Sequence, residues 1–210
     1  MNDQGPATSA PAAGTTDTWE LRWTAAELPV LKDAWSTMPV DMSSSTVIED
    51  HDVYLLTGSP WINLKLRRRT NALKLKRLCG RSLEGFERWR TEFDTPLPVG
   101  RAIAERALGL LRARALVETL SVAATTDDAL EIIATVLAPD RIVEAHKWRR
   151  LYHRGSCLVD DVRFQVSGSA FRSIGVESAS VQALRTFVSE LTAERLGNPR
   201  NYMQFLYRQV

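Results

Sequence analysis

Two cysteines in 210 residues leave no disulfide framework, and Cys79 and Cys157 are expected as reduced thiols. Long apolar runs are missing as well; no stretch approaches the ~18 residues of a membrane span. No glycine-rich phosphate loop is present, which removes both the P-loop and the dinucleotide-binding fingerprint. The histidines His51, His146 and His153 lack metal-ligand spacing, although His146 shares a strand face with Glu144. The opening residues are rich in Ala, Thr, Gly and Pro, with neither a basic start nor an apolar run, so a secretory signal is not expected. Residues 1–18 read as a disordered leader and 19–210 as one domain, with a cytoplasmic location as the working expectation.

What the chain does have is a local concentration of positive charge. Its formal net charge is only +2, yet residues 65–90 hold ten Lys or Arg against Glu84 and Glu87. These cations alternate with apolar residues. Asn63, Lys65, Arg67 and Arg69 oppose Ile62, Leu64 and Leu66, and Lys74 and Lys76 oppose Leu73 and Leu75. Successive strand side chains point to opposite faces, so each segment predicts a strand with one basic and one apolar stripe. Basic stripes of this density suit a polyanion such as phosphate.

Elsewhere the period changes along the chain. Strands are predicted over 19–23, 47–57, 86–93, 142–152, 157–166 and 171–178, with turns at Gly58-Ser59-Pro60, Thr70-Asn71, Gly155 and Gly168. Helices are predicted over 25–37, 101–114, 127–138 behind a Thr126 cap, and 181–196 behind a Ser180 cap. Tyr202, Phe205, Leu206 and Tyr207 form an aromatic tail expected to pack back onto the body. This order gives an α+β class with antiparallel strands and flanking helices, not βαβ winding.

Strands with one polar and one apolar face fit two arrangements. The sheet either leaves its polar face wet or closes into a barrel with that face inside. A closed barrel must neutralise its inward cations, because unpaired buried charges cost several kcal/mol. Glu20, Glu144, Asp161 and Glu177 are the carboxylates placed to do so.

Five segments then carry a resemblance: residues 61–67 (WINLKLR), 72–77 (ALKLKR), 147–152 (KWRRLY), 158–162 (LVDDV) and 171–177 (FRSIGVE). In this order the chain resembles CYTH domains, also called triphosphate tunnel metalloenzymes, over about residues 18–196. The resemblance implies an antiparallel β-barrel forming a tunnel, with helices packed outside. It implies Lys65, Arg67, Lys74, Lys76 and Arg149 as phosphate ligands, and Glu20, Asp161 and Glu177 as ligands of Mg²⁺ or Mn²⁺. Activity, where present, would be metal-dependent, of triphosphatase or adenylate-cyclase type, on a phosphorylated small molecule such as a nucleotide, triphosphate or polyphosphate. Two positions depart from the family's pattern. The first-strand E-x-E-x-K is Thr18-Trp-Glu-Leu-Arg22 here, and the late E-x-E is Gly175-Val-Glu177. The alternatives are a non-catalytic protein-interaction module with a CYTH-like shell, and an RNA or single-stranded DNA binder using the run Arg67-Arg68-Arg69.

Overall fold

Eight strands close into a single antiparallel barrel. The structure is a computed structural model and describes residues 16–29, 47–100, 121–133, 141–191 and 196–209, with 102, 103, 105 and 135. The strands are β1 (Thr16–Ala25), β2 (Val47–Leu55), β3 (Ile62–Arg67), β4 (Ala72–Arg81), β5 (Glu87–Pro96), β6 (Ile142–Arg154), β7 (Cys157–Val166) and β8 (Ser169–Ser178). Their order around the barrel is β1-β5-β4-β3-β2-β6-β7-β8, and β8 returns to β1 to close it. Closure gives every strand a neighbour on both sides over at least part of its length, and it divides each strand's alternating pattern into an inside and an outside.

The hairpins follow from local chemistry. Between β3 and β4 the chain makes a short 3-10 turn, Arg68–Thr70, and Asn71 takes the left-handed conformation at φ 46°. Asn tolerates that region better than most residues because its short polar side chain can bond locally. Here Asn71 Nδ2 donates to the Ala124 carbonyl, and its Oδ1 accepts from the Thr126 amide and hydroxyl, joining the hairpin to the helix outside. Gly155 and Gly168, at positive φ, turn β6 into β7 and β7 into β8.

Helices pack on the outer wall. Helix α1 (Thr126–Ile133) packs Ala129 against Val53, Leu55, Leu64, Leu66, Leu73, Leu75 and Phe93, the outward residues of β2 to β5. Its cap is Thr125, one residue earlier than expected. The Asp128 amide donates to Thr125 Oγ1, while Asp128 Oδ2 accepts from the Thr125 amide, a reciprocal capping box. Helix α2 (Val181–Ser189) is capped by Ser180, as expected, and lays Leu184 and Phe187 on Leu21, Trp23, Val159, Ile174 and Val176.

A third helix, α3 (Tyr202–Leu206), is the aromatic tail, and it fills one end of the barrel. Strand β1 pairs with β5 only over Thr16–Glu20, so the wall parts beyond that point. The tail comes to this gap. The Arg200 amide donates to the Arg22 carbonyl, and Asn201 Nδ2 donates to both Glu87 oxygens. Tyr202, Met203, Phe205 and Leu206 then pack on Trp89, Val143, Ala145, Val162, Phe164 and Val166, forming an apolar floor.

Several boundaries differ from the sequence reading. β1 begins at Thr16, inside the expected leader, because Thr16–Glu20 find partners on β5; residues 1–15 lie outside the described residues. Ala25 ends β1 instead of starting a helix, and positions 30–37 of that expected helix lie outside the described residues, as does most of 101–114. No helix among the described residues is long and apolar enough to cross a membrane. Both cysteines are free thiols.

The floor sets a stability prediction. Phe205 is buried and stacks edge-on against Phe164 and Phe171. Phe205→Ala is expected to cost about 3–5 kcal/mol in urea unfolding followed by tryptophan fluorescence. A loss below about 1 kcal/mol would show that α3 is not part of the cooperative fold.

Candidate functional site

Above the apolar floor the barrel encloses a polar cavity of about 250 Å³. Seven basic side chains line it: Arg22 from β1, Lys65 and Arg67 from β3, Lys74 and Lys76 from β4, and Lys147 and Arg149 from β6. All five residues expected as phosphate ligands are thus drawn to one space. For Lys65, Arg67, Lys74 and Lys76 the alternation read along the sequence is the alternation that turns them inward.

The cations are distributed unevenly. On the β3, β4 and β6 side, single carboxylates each serve two cations. Asp52 Oδ2 accepts from Lys65 Nζ and Lys147 Nζ, both at 2.7 Å. Asp94 Oδ2 accepts from Lys74 Nζ at 2.8 Å and from Arg67 Nη1 at 3.1 Å. Among the described residues, Lys76 pairs with Glu177 alone, at 3.7 Å. This wall therefore keeps an excess of positive charge after its own pairing.

Burial shifts the ionisation of these groups. Burial and the neighbouring charges of Lys147 and Arg149 lower Lys65 to about 7, against the opposing pull of Asp52. Lys147 is lowered for the same leading reason, and its ammonium lies 4.6 Å from the Tyr54 ring centroid and 4.5 Å from that of Tyr202. It also donates to the Tyr54 hydroxyl. Burial alone would raise Asp52, but Lys147 and Lys65 outweigh it and hold the carboxyl far below the usual range. The floor thus meets the cavity through two tyrosines that face a lysine.

The opposite wall, β1, β7 and β8, is built differently. The Arg22 side chain is 9% exposed, and its guanidinium reaches Glu20 Oε1 at 2.5 Å, Ser173 Oγ at 3.1 Å, Asp160 Oδ2 at 3.2 Å and Glu177 Oε1 at 3.5 Å. Arg149 binds Asp160 through two hydrogen bonds of 3.1 Å and touches Asp50 at 3.4 Å. Gly175 lies under the Arg22 guanidinium: a Cβ at this position would stand 2.4 Å from Nη2. Arg22 therefore occupies the volume that a side chain at 175 would need.

The expected metal ligands divide accordingly. Glu20 and Glu177 line the cavity; Asp161, expected beside them, does not. Asp161 faces the outer side of β7, where Arg172 Nε and Nη2 grip both its oxygens at 3.0 and 2.7 Å. Its neighbour Asp160 points inward instead. The reason is the floor: Leu158, Val162, Phe164 and Val166 share a phase with Asp160, and that apolar phase faces the interior because α3 fills it.

Glu20, Asp160 and Glu177 converge, but on a guanidinium. A Mg²⁺ or Mn²⁺ ion needs several oxygen ligands around a point free of other cations. Arg22 holds that point, so the residues present do not fit the expected divalent ion. Among the described residues no group of three or more His, Cys, Asp or Glu is arranged to hold a metal. Sequence reasoning also missed Asp52 and Asp94, whose role appears only through cross-strand pairing. The outer cluster of His51, Glu144 and His146 is separate from the cavity. His51 Nε2 lies 2.9 Å from Glu144 Oε2, with the two imidazoles 4.2 Å apart.

The Asp52 node sets a second prediction. Asp52→Asn leaves the buried Lys147 and the half-buried Lys65 without their carboxylate, and about 3–5 kcal/mol of stability should be lost near neutral pH. The loss should shrink as pH rises toward 10, because an amine depressed in the fold stops binding protons that the unfolded chain still holds. Urea unfolding at several pH values reads both effects, and a pH-independent loss would contradict the pairing.

No family model and no curated protein matches the chain. Solved structures do. The PH1012 protein of Pyrococcus horikoshii is 16% identical, covering 89% of this chain and 98% of that one, with a TM-score of 0.45. HpAC1 of Hippeastrum, described as having a dominant triphosphatase activity, is 12% identical over 91% and 96%, with a TM-score of 0.47. A conserved protein of Pyrococcus furiosus is 17% identical over 89% and 98%, with a TM-score of 0.45. The closed eight-stranded antiparallel barrel, with its basic residues turned inward, has the architecture that the sequence resemblance implied.

Proposed function

We propose that the tunnel binds a small phosphorylated anion, or the phosphate chain of a larger one such as a nucleotide or polyphosphate. One observation carries this reading: of the six cations that β3, β4 and β6 turn into the cavity, Lys65 and Lys147 share Asp52, Arg67 and Lys74 share Asp94, and Lys76 reaches Glu177 at 3.7 Å. Cations in a confined, partly dry space attract an anion more strongly than the same charges in water. Lys65, Arg67, Lys74, Lys76 and Arg149 are the proposed ligands, with Lys147 added. The volume of about 250 Å³ lies just under the ~300–1,000 Å³ of drug-sized sites, which favours a compact anion.

The nucleic-acid alternative has less support. The run Arg67-Arg68-Arg69 is engaged internally: Arg67 with Asp94, Arg68 with Asp127, and Arg69 with Asp50 at 2.5 Å. A charge already committed to a carboxylate contributes less to a phosphate backbone.

Tripolyphosphate should raise the melting temperature, since a ligand that binds only the native state stabilises it by mass action. Lys65→Ala combined with Lys74→Ala should abolish most of that shift. An undiminished shift in the double variant would move the site out of the tunnel.

A bound anion also raises the Lys65 pKa from about 7, so binding takes up a proton near neutral pH. Affinity should fall as pH rises through 7 and beyond. Calorimetry in buffers of different ionisation enthalpy measures the uptake, and Lys65→Met should remove it. Equal heats in all buffers for the wild-type chain would rule out this role of Lys65.

A further inference from the structure

We infer that the Arg22 guanidinium replaces the divalent cation in this tunnel, so that the anion is taken free, not as a metal complex. Three observations carry this. Glu20, Asp160 and Glu177, from three different strands, all direct carboxylate oxygens at the same guanidinium, at 2.5 to 3.5 Å. The residue facing it across β1 and β8 is Gly175, the register partner of Arg22 and the position where a side chain would collide with it. The guanidinium is also fixed by a neutral hydrogen bond to Ser173 Oγ, which itself lies 3.1 Å from Thr24 Oγ1. An arginine held at four points is a built element of the wall, not a mobile surface charge.

The chemistry differs from that of a metal site in a definite way. A guanidinium cannot be deprotonated in this setting and cannot exchange with solvent. It satisfies the three carboxylates permanently, so they offer no vacancy to Mg²⁺ or Mn²⁺. The phosphate-facing charge then comes entirely from side chains. Free tripolyphosphate is consequently the better ligand, because Mg²⁺ in solution sequesters its oxygens without gaining a place in the wall. This part rests on the phosphate-binding reading above; the displacement of metal by Arg22 does not.

The test has two arms. In the first, tripolyphosphate is titrated calorimetrically into the full chain with excess EDTA or with excess MgCl₂. Equal or tighter binding in EDTA is expected; a tenfold or greater gain in affinity with Mg²⁺ would overturn the proposal. No binding in either condition would refute the phosphate reading and leave the second arm to decide the role of Arg22. In that arm MnCl₂ alone is titrated and bound ion is followed by electron paramagnetic resonance. The wild-type chain should bind no Mn²⁺ in the tunnel. Arg22→Ala should gain a stoichiometric site that is lost again when Glu177→Gln is added. A wild-type Mn²⁺ site abolished by Glu177→Gln would overturn the proposal, as would a folded Arg22→Ala variant that binds no Mn²⁺. Should Arg22→Ala fail to fold, the comparison of wild type with Glu177→Gln decides alone.

Discussion

A closed barrel that turns seven basic side chains inward can fold only if carboxylates enter the same space. Burying an unpaired ammonium or guanidinium costs more than one or two hydrogen bonds return. Asp52, Asp94, Asp160, Glu20 and Glu177 meet that requirement, each placed by strand alternation on an inward position. Asp50 completes the set from the next inward position of β2. The pairing is economical on one wall, with a carboxylate for every two cations, and complete on the other. Both the fold and its candidate function follow from that asymmetry.

The interior is also divided along its axis. One end is polar and hollow, while the other is filled by the α3 aromatic floor. The two halves meet at Tyr54 and Tyr202, whose hydroxyls are pushed to higher pKa values by burial and stay neutral. Lys147 sits against both rings and bonds Asp52, so it belongs to the floor and to the cavity together. The floor bounds the cavity at this end, and Lys147 and Lys65 both lie over the Tyr54 ring.

How much of this was legible along the chain depended on whether a residue's neighbours in sequence defined its face. For Lys65, Arg67, Lys74 and Lys76 they did, because each basic strand alternates without interruption. For β7 they did not. Its inward phase holds Asp160 amid Leu158, Val162, Phe164 and Val166, and an apolar phase ordinarily packs under an outer helix. Only the later tail, Tyr202 to Leu206, makes that phase an interior one. Asp161, the more polar-looking choice, is instead closed off by Arg172. Arg22 and Gly175 stood out as departures from a family pattern, and their shared meaning was invisible because they are 153 positions apart and adjacent only through the β1–β8 register.

Alternation of charge and hydrophobicity, turn residues and capping hydroxyls were local properties, and from the amino-acid order alone they determined the strands, most of the turns and the basic stripes. Tertiary structure decided which phase of each strand became the inside, which carboxylate met which cation, and that an arginine would stand among three acids. Those outcomes depend on barrel closure and on a tail that fills one end. Closure couples residues through register, and register is a relation between distant strands that no single stretch of sequence contains.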